Sequence, residues 1–219
     1  DLKAIDIKSP SKKTLLTEIQ KLFPAKGIFI SKIIVTRGES QTGYDFNEGI
    51  KPTRILLKID FNTNKYEIFK KGVRLTASNI RATKSSNSGI KDLNRLENVL
   101  ARKSISRNFF DAIMVDSNGN ICDCARSSLF IRFGSRLYTA SNTSFGIHGV
   151  TKKIICKNEK KLNLTIDHSP LTLNQLEKAD EVIVSNSIFG ALQVVRFKNT
   201  KWEKGNLANS ITNLLNESN

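Results

Sequence analysis

Apolar residues recur along the 219-residue chain with two periods, and the changes between them mark out its elements. Over residues 12–23, Leu15, Leu16, Ile19, Leu22 and Phe23 fall at helical spacing and Pro24 stops the run. This predicts a short amphipathic helix. Residues 28–36, rich in Ile, Val and Phe, end at Arg37-Gly38, and residues 54–61 repeat the pattern after the turn-prone Asn47-Glu48-Gly49, predicting two strands around a polar loop. Residues 62–72 are polar and lysine-rich and read as a connection. The expected organisation is a small, incomplete α/β domain over residues 1–64, a linker at 65–71 and a larger domain over 72–219.

In that larger part, residues 73–79 are strand-like, and Leu93, Leu96, Val99 and Leu100 give the apolar face of a helix running to about residue 102. Ser117-Asn118-Gly119 separates two β-rich runs, 112–116 and 120–125; Asn-Gly is a strong hairpin signal because both residues tolerate positive φ. Gly134-Ser135 separates residues 128–133 from 136–139 in the same way, so the centre reads as an antiparallel meander. A glycine-punctuated loop, Gly146-Ile147-His148-Gly149, leads into a basic helix over 150–162, a strand at 164–166, a helix at 171–178 and a strand at 181–185.

Composition narrows the class. Hydrophobic residues at 39% and charged residues at 25% are ordinary for a globular chain, which excludes wholesale disorder. No apolar stretch approaches the roughly 18 residues of a membrane span; the greasiest, 28–35, is broken by Ser31 and Lys32. Lys and Arg outnumber Asp and Glu by 35 to 20, a net charge of +15. The basic residues are scattered, the tightest groups being pairs such as Lys70-Lys71 and Lys152-Lys153, so the charge draws an anionic small molecule as readily as a nucleic acid. Three cysteines, two of them too close along a strand for a disulfide framework, fit a reducing, cytoplasmic compartment.

Walker, dinucleotide, HExxH and paired CxxC motifs are absent, and His148 and His168 lack a neighbouring Ser or Cys motif. Alternation throws Cys122 and Cys124 to one face and Asp123 to the other, with no histidine to complete a metal set. Three features remain. Lys91 stands where a flexible loop meets a helix, a position in which desolvation can lower an amine's pKa as Schiff-base chemistry requires. Asp123 points away from the cysteines, and residues 146–151 run into a helix start whose free amides suit a phosphate. A reactive lysine, an acid and a phosphate cradle are the fixtures that pyridoxal phosphate requires. Each has a plainer reading: a solvated lysine, a polar strand residue facing solvent, and turn glycines ahead of a helix. Tyr44 reads equally as loop packing, and Asn94 as helix surface.

These same residues resemble the fold-type IV pyridoxal-phosphate enzymes, the family of branched-chain and D-amino-acid aminotransferases and aminodeoxychorismate lyases. Ile34-Val35-Thr36-Arg37-Gly38 with Gly43-Tyr44 is similar to the family's strand and RGxxxxGY loop. Residues 89–102, GIKDLNRLENVLAR, are similar to the lyases' GIKxLNRLExVLAR, whose NRLE run the aminotransferases usually lack. Asp116-Ser117-Asn118-Gly119, Ser127-Ser128-Leu129-Phe130, residues 146–151 and Val184-Ser185-Asn186-Ser187 follow in the family's order. The resemblance implies a two-domain α/β (α+β) fold whose larger domain holds a mostly antiparallel, barrel-like sheet, with the opening hairpin and first helix missing before Asp1. It implies a lyase converting 4-amino-4-deoxychorismate to 4-aminobenzoate and pyruvate, the alternatives being an aminotransferase of the same fold or an inactive homologue.

By the same resemblance, Lys91 binds pyridoxal phosphate covalently and moves protons, and Asp123 meets the ring nitrogen. Val150, Thr151 and Ser187 hold the phosphate with Asn186 beside them, Arg37 and Tyr44 serve the substrate, and the chain forms a homodimer. Three positions depart from the pattern: Asp123 stands for a glutamate, Ser128 for an asparagine, and Thr42 for an arginine found in some lyases.

Overall fold

The computed structural model describes residues 1–24, 26–40, 43–141 and 145–217. Thr42 therefore lies outside the described residues. The chain divides into two compact units, Asp1–Thr63 and Asn64–Asn219.

In the first unit, Ser11 caps helix α1 (Lys12–Leu22) by accepting the Thr14 amide at 3.0 Å, which satisfies one of the donors a helix start leaves over. Strands β1 (Phe29–Thr36) and β2 (Thr53–Asp60) pair antiparallel from Phe29↔Asp60 to Thr36↔Thr53, the two strands that the hydrophobic runs predict. An Arg54–Glu18 ion pair at 2.6 Å ties β2 to α1. Two strands and one helix bury little: Ile7 is the buried hydrophobic residue here, and Leu16, Ile33, Ile55, Leu57 and Ile59 stay exposed.

The second unit opens with α2 (Thr63–Lys70), occupying the stretch that reads as a linker. Tyr66 and Phe69 anchor it: Phe69 meets Phe110 and Phe189 edge-to-face at 4.9 and 5.4 Å, and Tyr66 stacks on Phe189. There follow β3 (Val73–Ala77), α3 (Leu96–Lys103), β4 (Asp111–Val115), β5 (Ile121–Cys124), β6 (Ser128–Phe133), β7 (Arg136–Tyr138), α4 (Val150–Lys157), β8 (Thr165–Asp167), α5 (Leu173–Leu176), β9 (Glu181–Asn186), β10 (Gly190–Phe197), β11 (Thr200–Lys201) and α6 (Leu207–Glu217). The helix expected over 150–162 ends earlier, at Lys157, and a 3-10 turn at Glu159–Leu162 completes the span.

Both hairpins form where the turn residues place them, β4 with β5 and β6 with β7, and Gly119 at the first turn has a φ of 84°. They do not join into a meander. The sheet order is β5-β4-β3-β10-β9-β6-β7-β8, so β3, β10 and β9 stand between the two hairpins. β3 pairs parallel with both β4 and β10, and β7 pairs parallel with β8, which makes the sheet mixed. Turn chemistry decides each hairpin locally; the apolar run of β9, buried from Glu181 to Ser185, decides which edges meet.

β5 and β6 are first and sixth in the sheet yet are joined by only residues 125–127, so the sheet curls back on itself. Alternation then sorts the side chains onto two faces. Leu75, Ile113, Cys124, Leu129, Val182, Val184 and Phe197 fill the inside of the curl. Phe130, Ile183 and Ala191 point outward and pack with Ile155 of α4 and Ile211 of α6. Glu181, 3% exposed, serves this outer layer by pairing with Arg132 at 3.1 Å and accepting the Leu207 amide at the start of α6.

The helix expected to begin near Lys91 begins at Leu96. Residues 91–95 are folded as a loop by Arg95, which pairs with Asp92 at 3.3 Å and donates to the Ile90 carbonyl. The face of α3 turned to the sheet is the small one, Ala101 against Met114 and Ala125, while Leu93, Leu96 and Val99 are 70, 65 and 59% exposed.

Candidate functional site

The Lys91 loop and the start of α4 are held together by backbone. Gly89 and Ile147 form a parallel bridge, with the Gly89 amide donating to the Gly146 carbonyl at 3.1 Å and the His148 amide donating to the Gly89 carbonyl at 2.9 Å. The His148 ring lies against Gly89 so closely that a Cβ there would come 2.0 Å from its Cδ2, and Gly89 has a φ of 86°. Glycine is required on both counts. Burial, and after it Lys153 and Lys152, hold His148 below the usual imidazole value. Lys91, two residues beyond this latch, is exposed.

Gly149 opens α4 with no side chain capping it, so the first amides of Val150, Thr151 and Lys152 form an anion-attracting start to the helix. Val150 is exposed and Thr151 buried. A Cβ on Gly149 would touch Ser128 Oγ at 3.5 Å, which places the helix start against the first residue of β6.

Ser128 in turn leads to the acid. Its hydroxyl donates to Asp123 Oδ2 at 3.4 Å, and the Leu129 amide donates to Asp123 Oδ1 at 2.7 Å. Asp123 is thus a buried carboxylate facing the outer, α4-covered side of the sheet. Lys152 Nζ stands 4.0 Å from Asp123 Oδ2 and donates to the Ala140 carbonyl. Cys122 and Cys124 point the other way; burial pushes the Cys122 thiol up to about 12 and the Cys124 thiol well above its ordinary value.

The third part is the β9–β10 turn. Asn186 shapes it, its Oδ1 accepting the amides of Ile188 and Phe189 at 3.0 Å each while its Nδ2 reaches the Arg126 carbonyl, and Ser187 is exposed at the tip. Ser185 lies directly across from Ser128. Its hydroxyl is buried and lacks a hydrogen-bond partner among the described residues. Lys91, Asp123, Val150 and Thr151 are accordingly linked through Gly89, Gly149 and Ser128, with Asn186 and Ser187 following Ser185 on the neighbouring strand.

Arg37 and Tyr44 belong to the first unit. The Arg37 guanidinium donates to the backbone carbonyls of Asp6 and Ile5 and stacks on Phe46 at 3.9 Å, and Tyr44 is fully exposed. Lys152, Ser185 and the Gly89–His148 contact escaped the sequence reading. The Lys152-Lys153 pair looks like solvated surface, and only the α4 register separates a buried Lys152 from its neighbour. A cavity of about 160 Å³ lined by Cys122, Leu129, Ile131 and His168 opens on the opposite face from Asp123. Among the described residues no cluster of His, Cys, Asp or Glu could hold a metal ion, and no helix is long and apolar enough to cross a membrane.

The architecture is that of the fold-type IV enzymes. The crystal structure of 4-amino-4-deoxychorismate lyase from Pseudomonas aeruginosa superposes with a TM-score of 0.80 over 95% of this chain and 78% of that one, at 26% identity. The family profile described as amino-transferase class IV matches residues 2–197, and the chain belongs to that family of pyridoxal-phosphate-dependent enzymes. A probable branched-chain-amino-acid aminotransferase of Thermotoga maritima is 28% identical over 57% of this chain. An aminodeoxychorismate lyase of Bacillus subtilis is 26% identical over 80% of it. The chain spans 46% of the first relative's length and 58% of the second's.

Proposed function

We propose that this chain is a pyridoxal-phosphate-dependent lyase acting on 4-amino-4-deoxychorismate and releasing 4-aminobenzoate and pyruvate. The observation that carries the reading is the linkage of the Lys91 loop, the uncapped start of α4 and the buried Asp123 through Gly89, Gly149 and Ser128. The residues present fit the cofactor: the uncapped amides and the unpartnered Ser185 hydroxyl suit a polar group, and Asp123 offers a buried carboxyl group. Lys91 would hold it covalently, Asp123 would meet its ring nitrogen, and Val150, Thr151 and Ser187, beside Asn186, would hold its phosphate. When bound, the cofactor supplies a conjugated ring that stores an electron pair.

The remaining work belongs to the chain. Lys91 would act through its Nζ as general base and acid, taking a proton from the substrate and returning one as pyruvate leaves. Gly89 and His148 hold the loop that aims it. The positive field of Lys153 and the α4 start favours a dianionic substrate. Arg37 and Tyr44 are the proposed substrate contacts, residues 1–64 and 72–219 the proposed small and cofactor-binding domains joined at 65–71. The exposed Leu93, Leu96 and Val99 supply an apolar face for a homodimer. Three free cysteines suit a reducing cytoplasm.

The test is the absorbance of the protein with added pyridoxal phosphate, then borohydride reduction and peptide mapping, in the native chain and in Lys91→Ala. A label on Lys91 that the variant loses, with 4-aminobenzoate and pyruvate formed from the substrate, supports the reading; scattered labelling defeats it. The Thermotoga relative favours an aminotransferase as the second reading, distinguished by an amino donor converting the cofactor to its amine form.

A further inference from the structure

Lys152 occupies a position that two physical effects oppose. It is only 5% exposed, and a buried ammonium is costly unless paired. It also lies in the first turn of α4, where the helix dipole disfavours a cation. The Ala140 carbonyl accepts a hydrogen bond from its Nζ but carries no charge to offset it. The anion that does is Asp123, 4.0 Å away and 8% exposed. Asp123 is fixed from its other sides by the Leu129 amide and the Ser128 hydroxyl, so the pair is built into the join between β5, β6 and α4.

We propose that Lys152 is a positioning residue that keeps the Asp123 carboxylate ionised and aimed, and so limits how firmly that carboxylate can hold a proton on a heteroaromatic nitrogen presented to it. The inference deepens the proposed function, and rests on it for the identity of the nitrogen; the pairing itself needs no cofactor. A carboxylate that must protonate a ring fully is best left without a competing cation. Here the cation is supplied by the same helix whose start forms the phosphate cradle, so cradle and acid are electrostatically one unit.

The other charged and titratable groups around Asp123 come from each element packed on it. Asp111 and Asp116 stand at the two ends of the neighbouring β4, and both raise the proton affinity of the nearby thiols. Cys122 and Cys124, beside it on β5, stay protonated. Lys153 flanks the α4 start and adds positive charge on the Lys152 side, while burial and the two lysines hold the neighbouring His148 imidazole below its usual value and so favour its neutral form. Lys152 stands within ion-pair distance of Asp123, at 4.0 Å.

The experiment is carbon-13 NMR titration of the Asp123 carboxyl in the cofactor-free protein. Lys152→Gln keeps a donor for Ala140 and removes the charge; the Asp123 titration rises by about one unit or more, the size of effect one adjacent cation exerts. Lys152→Arg returns it to the native value. An unchanged titration in Lys152→Gln overturns the proposal. Should that variant fail to fold, Lys152→Met, which removes the charge without leaving an unpaired amide, takes its place, and an unchanged Asp123 titration there overturns the proposal equally. A second arm adds nitrogen-15-labelled pyridoxal phosphate: the ring-nitrogen resonance moves toward its protonated position in Lys152→Gln and back in Lys152→Arg. A coupled pair with no ring-nitrogen response defeats the cofactor reading at Asp123 and leaves the pairing intact; no coupling defeats the pairing whatever the cofactor does.

Discussion

The His148 amide donates to the Gly89 carbonyl while the His148 imidazole covers Gly89 at a distance that leaves no room for a methyl group. With the Gly89 amide donating to the Gly146 carbonyl, this contact holds the loop of the proposed reactive lysine to the proposed phosphate cradle. Gly89→Ala is expected to cost about 1–3 kcal/mol, because a positive φ strains any residue with a Cβ and the ring must also move. His148→Ala clears the ring but not the φ. The double variant is therefore less destabilised than the sum of the two single ones, by at least ~0.5 kcal/mol in a denaturation cycle. Strict additivity would show that the ring is not what confines Gly89.

Asp111 supplies a pH dependence. Burial raises its carboxyl above the ordinary value, against the pull of hydrogen bonds from Ser127 Oγ at 2.5 Å and from the Ala112 and Arg126 amides, and of the Arg126 charge. The folded chain thus keeps this proton to a higher pH than the unfolded chain does. Between the unfolded value near 3.8 and the raised folded value, stability falls as pH rises, and above that window the loss is complete. Each unit of separation is worth about 1.4 kcal/mol. Asp111→Asn keeps an acceptor for Ala112 and removes this slope. Melting curves across the acidic range come out flatter for the variant than for the native chain; parallel curves would show that Asp111 titrates alike in both states.

The apolar face of α3 tests the proposed homodimer. Replacing Leu96 and Val99 by Asp is expected to weaken self-association about a hundredfold or more, given roughly 1.5 kcal/mol or above for each side chain left unburied. Circular dichroism stays unchanged, because both side chains are more than half exposed on the subunit. Sedimentation velocity reads the outcome, and a variant that sediments as the native chain does removes α3 from the interface.

These cases show what the sequence could and could not disclose. Asn118-Gly119 foretells its hairpin because the constraint is contained in two residues. Leu96 and Val99 are correctly periodic, yet periodicity reports that a face is apolar and not what covers it, and the sheet takes Ala101 instead. Lys152 reads as one of many lysines since its burial depends on strands far away in sequence. β10, with Gln193 and Arg196 inside it, escapes the pattern because Gln193 donates its side-chain NH2 to the Val182 and Val194 carbonyls and so holds a buried position that looks polar, although its Oε1 has no hydrogen-bond partner among the described residues. Lys91, placed by motif, is found on a loop and exposed, since Arg95 folds residues 91–95 before the helix can start.

The strand that carries Asp123 also separates two kinds of reactivity. An aldehyde held near a carboxylate is open to attack by any thiolate within reach, and oxidants seek the same sulfurs. Alternation along β5 turns Cys122 and Cys124 away from Asp123, and burial raises both thiols above their ordinary values. Cys122 borders the cavity that opens on that face, whereas Cys124 is packed in the inner core. The Cys124 sulfur cannot compete with an amine for a carbonyl carbon or form a mixed disulfide while the sheet is closed. Alkylation of Cys124 would therefore report when the sheet itself opens, a clock for unfolding already written into the chain.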